Sequence, residues 1–520
     1  MIAAHEHLAV VPVVLPLAAG ALMLALDEER HRLKAALNAV SIAALIAACL
    51  ALVVQADTGR VQVYAIGNWA PPFGIVLVVD RLSALMVLLS GALAAGALAF
   101  SLARWHRAGP RFHALLQFML MGLNGAFLTG DLFNLFVFFE LLLAASYGLA
   151  LHGSGTRRVS ASLHYIVINL TASLLFLVGV ALIYGVTGTL NMADLATRLP
   201  AVDEADRGLA QAGAAILGVA FLVKAGMWPL GFWLPGTYAA ASAPAAALFA
   251  VLTKVGVYAV LRLSSLFPGG AVDGGLLLAG GMVTLAFGLA GVLASQSLAR
   301  LAGFSLLASS GTLLAVIGMG DARATGAALY YLVASTLGVS ALFLLIELVE
   351  RARPPGADML AVTRAAFLGA SEERDPEEED ESGVVIPATM ALLGLSFLGC
   401  ALLVAGLPPL PGFVAKFAML ASLLAPDPVP GAAWGLLVLL TLSGLASIIA
   451  MGRAGLQVFW AHPALSVPRV RVIEMAPVAL LLGLCLALTA QAGPAMRYAQ
   501  DAAQALHAPR AHAEGAIRRP

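Results

Sequence analysis

Four ionisable residues stand where an apolar chain should not carry them. Glu140 lies in the run DLFNLFVFFELLLAASYGLAL, and Lys224, Lys254 and Lys416 lie in segments otherwise almost free of charge. A charged side chain costs about 2.5–3.5 kcal/mol at the centre of a membrane-inserted helix, so residues of this kind pair with one another or serve ions and protons. Proton transfer is the chemistry open to them. Arginine stays charged inside proteins, whereas a buried lysine can give up its proton. Three of the four lysines lie in apolar segments, while the arginines lie in connections or near segment ends. Two static readings compete. Lys416, nearest a helix break, could snorkel to the interface, and Glu140 could be a fixed structural partner for one lysine. Asp131 opens the segment that holds Glu140 and is expected to cap its N-terminus.

The elements that must position these residues are transmembrane helices. Of 520 residues, 61% are hydrophobic and 11% charged, against about 45–50% and 25% in soluble chains. Stretches long enough to span a bilayer fall near 8–26, 35–54, 80–102, 112–129, 131–151, 162–186, 210–227, 240–265, 275–293, 297–319, 326–350, 386–406, 431–452 and 472–494. These fourteen, with apolar half-segments near 230–240 and 412–425, predict an all-α polytopic membrane protein. The first reads as a retained helix rather than a signal peptide, since no basic n-region precedes it. The formal net charge of zero presents no basic face for nucleic acid. Cys49, Cys400 and Cys485 have no ligand-like spacing and read as core packing; no metal and no cofactor is expected.

Basic residues in short connections mark the cytoplasmic side. Connections from odd to even helices carry sixteen of the 29 and those from even to odd carry six. The arginine-rich connections therefore face the cytoplasm. The longest polar stretch, 351–384, holds EERDPEEEDE (372–381) and reads as a solvated loop. The stretch 55–79 reads as an outside loop with a short hairpin.

Two spans are broken beside a buried lysine. Lys224 is followed by AGMWPLGFWLPG, with Pro229 and Pro235; Lys416 is preceded by AGLPPLPGFVAKF, with Pro408, Pro409 and Pro411. Proline interrupts a helix, and interrupted backbone at membrane depth survives only where protein or a wet cavity surrounds it. The breaks fall in the seventh and twelfth helices, each fourth in a block of five (4–8 and 9–13). Two odd-numbered blocks imply inverted repeats with a pathway between them. The expected organisation is helices 1–3 in 1–110, a first repeat in 111–266, a second in 267–461, and helix 14 with a polar tail in 462–520.

At these residues the chain resembles a known family. KAGMWPLGFWLPGTYAAASAPAAALFAVLTKVGVYAVLRL (224–263), RLAGFSLLASSG (300–311) and GLPPLPGFVAKFAML (406–420) resemble the antiporter-like membrane subunits shared by respiratory complex I and Mrp-type multisubunit cation/proton antiporters. The resemblance covers nearly the whole chain and is nearest to the D subunit of the Mrp type. It maps the family's helix-5 glutamate onto Glu140, its helix-7 lysine onto Lys224, its helix-8 basic residue onto Lys254 and its helix-12 lysine onto Lys416. The chain departs from complex I members at Gly236, Thr237 and Tyr238, and near Gly338, where no helix-11 lysine stands.

The resemblance implies a subunit of a hetero-oligomeric antiporter in the bacterial inner membrane, exchanging monovalent cations (Na+ first, with K+ and Li+ as further candidates) for protons. No catalytic residue or redox centre is implied. Three alternatives stand beside it: a proton-translocating subunit of a complex I-like oxidoreductase or hydrogenase, a stand-alone solute transporter, and a membrane scaffold.

Overall fold

The computed structural model describes residues 6–69, 74–267, 272–351, 388–459 and 470–507; the acidic run 372–381 lies outside them. Among the described residues, thirteen helices are long and apolar enough to cross a bilayer. They are Val11–Ala25 (α1, preceded by a 3-10 turn from Glu6), His31–Asp57 (α2), Arg81–Ser101 (α3), Leu132–Leu151 (α5), Thr156–Thr187 (α6), Glu204–Ala225 (α7a), Ala243–Leu266 (α8), Gly274–Ala294 (α9), Leu298–Gly318 (α10), Ala322–Glu350 (α11), Ala388–Ala405 (α12a), Gly431–Phe459 (α13) and Val472–Ala490 (α14). Phe112–Leu128 (α4) has 17 residues and completes the set of fourteen. The chain is a multi-pass membrane protein. Both half-segments are helical as well, at Trp233–Ala240 (α7b) and Pro411–Leu423 (α12b).

Helix starts follow from their caps. The side chains of Asp80, Asp131, Asp273, Ser297 and Asp321 each accept from the backbone amide three residues on, satisfying a donor the helix leaves free. The capping expectation for Asp131 is met at 2.9 Å from Asn134 N. Interhelical packing relies on small residues. Gly281 and Gly288 of α9 lie directly against Ala315 and Ala308 of α10, with no room for a side chain. All three cysteines are buried and free. The expected hairpin forms outside the spans, Gln62–Ala65 (β1) pairing antiparallel with Val76–Val79 (β2).

Two features differ from the sequence reading. Arg262, counted there with the connections, lies inside α8 with its side chain 11% exposed, paired with Asp80 at 2.6 Å; Tyr258, one turn back, donates to Phe127 O and accepts from Arg262. The stretch expected as a polar tail folds over Ala492–His507 into a further helix, α15. Its buried face, Ala499, Ala502, Ala503 and Leu506, lies across α3, α8 and α11. Tyr498 donates to Arg81 O, and Asp501 pairs with Arg81 at 3.5 Å.

Candidate functional site

The two helix breaks share one construction. α7a ends at Gly226 (φ +77°) and α12a just before Gly406 (φ +73°), a left-handed conformation that glycine adopts without steric cost. Met227 N then donates to Leu222 O at 3.0 Å, and Leu407 N donates to Leu402 O at 3.0 Å. Each break contains a cis prolyl bond, Trp228–Pro229 and Pro408–Pro409. In the first, the freed amide of Trp228 donates to the Thr284 hydroxyl at 2.9 Å.

Each break places a lysine at the carboxyl end of the first half-helix. Lys224 sits in the last turn of α7a. Lys416 belongs to α12b, yet its Nζ reaches back and donates to Ala405 O, the last residue of α12a, at 3.1 Å. Helix carboxyl ends carry partial negative charge and favour a cation. Lys416 thus caps its broken partner.

Glu140 and Lys224 face one another through charge rather than contact. Glu140 is the carboxylate that acts on Lys224, but Glu140 Oε1 and Lys224 Nζ are both buried without a hydrogen-bond partner. Lys224 Nζ lies 5.0 Å over the Phe139 ring, a cation–π contact, and Phe139 itself packs edge-on against Phe176 and Phe221. Lys254 lies two residues from the α7a–α8 crossing at Gly256 and is fully buried. The crossing is close because Gly256 has no side chain; a Cβ there would lie 2.3 Å from Ala225 N.

Lys254 has hydroxyl partners that the sequence reading missed. Its Nζ donates to Ser309 Oγ at 2.8 Å, and Ser309 shares a 2.9 Å hydrogen bond with Ser335 of α11. The hydroxyls reach α11 close to the place where the helix-11 lysine is absent. Gly338 itself abuts Leu403 of α12a. Ser309 lies in the quoted run 300–311, but a serine in an apolar helix carries no signal of its own. The four ionisable residues come from α5, α7a, α8 and α12b. The hydroxyl pair carries the row from α8 across α10 to α11, which packs on α12b.

On the arginine-rich face a cavity of about 520 Å³ is lined by Trp105, Arg158, Tyr238, Ser242, Phe343 and Glu347, among others. At its mouth Glu347 accepts from Arg104, Trp105 and Arg351. Tyr238 Oη and Ser242 Oγ at its floor are buried without a protein partner, as are Trp233 Nε1 and Tyr147 Oη. Rings link them: Tyr238 to Trp233 at 6.1 Å, Trp233 to Tyr165 at 5.3 Å and Tyr165 to Tyr147 at 5.3 Å. Tyr147 lies two turns from Glu140 on α5 and also feels its charge. Buried polar groups of this kind are satisfied by water, so the seam suits hydration from the cavity toward Glu140.

Residues 129–446 match the family described as NADH:quinone oxidoreductase/Mrp antiporter, transmembrane region. The chain is 55% identical over 532 residues to a protein of Rhizobium meliloti (strain 1021) named as the D subunit of a probable K(+)/H(+) antiporter, covering 99% of this chain and 98% of that one. It is 34% identical over 462 residues to the D subunit of an Na(+)/H(+) antiporter of Alkalihalophilus pseudofirmus, covering 88% and 87%. Its fold is similar to that of a chain in the solved Mrp complex from Dietzia sp. DQ12-45-1b, with a TM-score of 0.84 and 25% identity, covering 99% and 100%.

Proposed function

This chain belongs to the NADH:quinone oxidoreductase/Mrp antiporter transmembrane family, and from that premise we propose that it is a subunit of a multisubunit antiporter exchanging a monovalent cation for protons. It works in the bacterial inner membrane, with the arginine-rich face toward the cytoplasm, and holds no redox centre of its own. Glu140, Lys224, Lys254 and Lys416 carry the proton movement. The observation that carries this reading is the shared construction of the breaks, which sets Lys224 and Lys416 each at the negative pole of a half-helix, with fully buried Lys254 and its hydroxyl bridge between. Blocks 4–8 and 9–13 act as the two inverted repeats. A proton reaching Lys254 weakens the hold of Glu140 on Lys224, and the change passes along the row. The 55% identical relative is named for K+ and the 34% identical one for Na+, which supports K+ and Na+ as the candidate cations.

The test is Lys224→Arg in the intact complex, assayed in everted vesicles with K+, Na+ and Li+. Arginine keeps the charge and cannot deprotonate, so exchange is expected to fall about a hundredfold or more while assembly stays normal. Wild-type exchange in Lys224→Arg would exclude a proton relay at this residue. Copurification separates the related reading, a proton pump driven by redox subunits: small hydrophobic antiporter subunits support antiport, and flavin or iron–sulfur subunits overturn it.

A further inference from the structure

A second set of titratable groups lies away from this row, in the seam between α2 and α4. Asn38 and Gln117 are fully buried there and His113 nearly so. Polar side chains at membrane depth are costly and call for a use. Their hydrogen bonds run head to tail in one sense. Ser41 Oγ donates to Gln117 Oε1 at 3.3 Å, Gln117 Nε2 to Asn38 Oδ1 at 2.8 Å, and Asn38 Nδ2 meets His113 Nδ1 at 2.9 Å. An amide N–H can only donate, so His113 Nδ1 accepts and its Nε2 carries the proton. That N–H donates to His106 Nδ1 at 3.3 Å.

The row opens at one end only. His106 lies in the α3–α4 connection, with its ring 6.0 Å from that of His31. Inward, the row stops at Ser41. The next polar pair along α4, Ser90 with Asn124, lies two turns farther from Gln117, and Asn124 donates to Pro12 O. A proton that enters must leave the way it came. That is the behaviour of a binding site, not of a conduit.

We propose that His106 and His113 form a proton-binding site open to the arginine-rich face, whose occupancy is passed through α4 to the helix carrying Glu140. A proton on His106 gives both its ring nitrogens an N–H, so Nδ1 can no longer accept. His113 must then turn an acceptor outward, the Asn38 and Gln117 amides reverse, and the Ser41 hydroxyl rotates. α4 transmits such a change because it is packed tightly on α5. A Cβ on Gly122 would lie 2.6 Å from Leu142 N and one on Gly125 2.2 Å from the Phe138 ring, and Glu140 sits between these two contacts. This last step rests on the proposed antiport; proton binding does not.

The charged groups facing the histidines set the direction of the response. Glu28 faces them from the α1–α2 connection, His31 and Lys34 from the start of α2, and Arg107 from the α3–α4 connection; His152, at the end of α5, lies tilted against neighbouring Phe112. Glu28 is engaged by Lys34 at 2.9 Å and by Arg111 N at 3.2 Å. Burial, then Arg107 and His31, hold the His106 imidazole below its ordinary value. The site is therefore empty at neutral pH and fills as the compartment on that face acidifies. An antiporter delivering protons to that compartment would be turned down by its own product.

The experiment is pH-difference infrared spectroscopy of the purified complex with isotope-labelled histidine, together with antiport in everted vesicles. His106→Asn and His113→Gln keep hydrogen-bonding atoms without the titration. The expected result is one linked imidazole titration below the ordinary histidine value of about 6.5, lost in either variant. Acid inhibition should be blunted too, leaving about tenfold more activity than wild type at acid pH and equal activity at alkaline pH. Two histidines titrating independently, or an unchanged acid limb in His113→Gln, overturns the proposal. If the wild-type complex exchanges no cation, the proposed antiport fails, and the infrared titration alone still decides the binding site.

Discussion

The closest helix crossing in the candidate site yields the sharpest prediction. At Gly256 the α8 backbone lies so near α7a that a Cβ would stand 2.3 Å from Ala225 N, 2.7 Å from Lys224 C and 2.8 Å from Ala225 Cα, where ordinary contact begins at 3.4 Å. All three obstructing atoms are backbone, so no side chain can swing away. Gly256→Ala therefore forces α8 off α7a by about 1 Å. Overpacking of this kind costs about 1–3 kcal/mol, and the upper end applies because rigid atoms must move. Lys254 is two residues from Gly256 and moves with it, so the 2.8 Å bond from Lys254 to Ser309 stretches toward breaking. A bond to a charged group contributes about 1.5–3 kcal/mol, and misplacement by about 1 Å can cost about a hundredfold in rate. The measurement is cation-dependent proton movement in everted vesicles beside thermal unfolding of the purified complex. Gly236→Ala, a glycine with nothing within 4 Å, is the control and should be neutral in both. If Gly256→Ala matches wild type in stability and rate, the crossing does not hold the lysine row in place.

Two further outcomes follow from side chains. Ser309→Ala removes the hydroxyl that holds Lys254 and should lower turnover about tenfold or more with assembly intact, whereas Ser309→Thr should retain most activity; equal rates for the two would remove Ser309 from the route. Asp80→Ala leaves Arg262 largely buried without the carboxylate that pairs with it, which should lower stability by about 3–5 kcal/mol, while Asp80→Leu combined with Arg262→Met should recover most of it. Thermal unfolding reads both, and a double variant as unstable as Asp80→Ala would contradict the pairing argument.

Hydrophobic runs made the spans legible in the sequence, and glycine beside proline made both breaks legible. The buried lysines stood out because nothing around them was charged. What each lysine touches was not legible. Lys254 finds a serine 55 residues away and Lys416 a backbone carbonyl, and neither partner differs in type from dozens of others. Arg262 was misplaced because it sits near a segment end and because its partner, Asp80, is 182 residues distant. α15 was hidden by composition, since alanines bury one side while Arg497 and Gln504 stay exposed on the other. The α2–α4 row did leave a trace: His113, Gln117 and Asn124 recur on one face of an apolar helix. It needed Asn38 from another helix before the trace acquired direction.

The position of α15 also bears on how the protein is made. This last described helix touches α3 from the early part of the chain, α8 from the middle and α11 from later. A ribosome delivers it after all three are already in the bilayer. Until then Arg81 lacks Asp501 and the Tyr498 hydroxyl, and Gly326 lies uncovered where Gln500 will pack. These later turns thus close a latch over helices made far apart in time, and a chain in which they have not yet docked carries an open seam that quality control in the membrane can recognise.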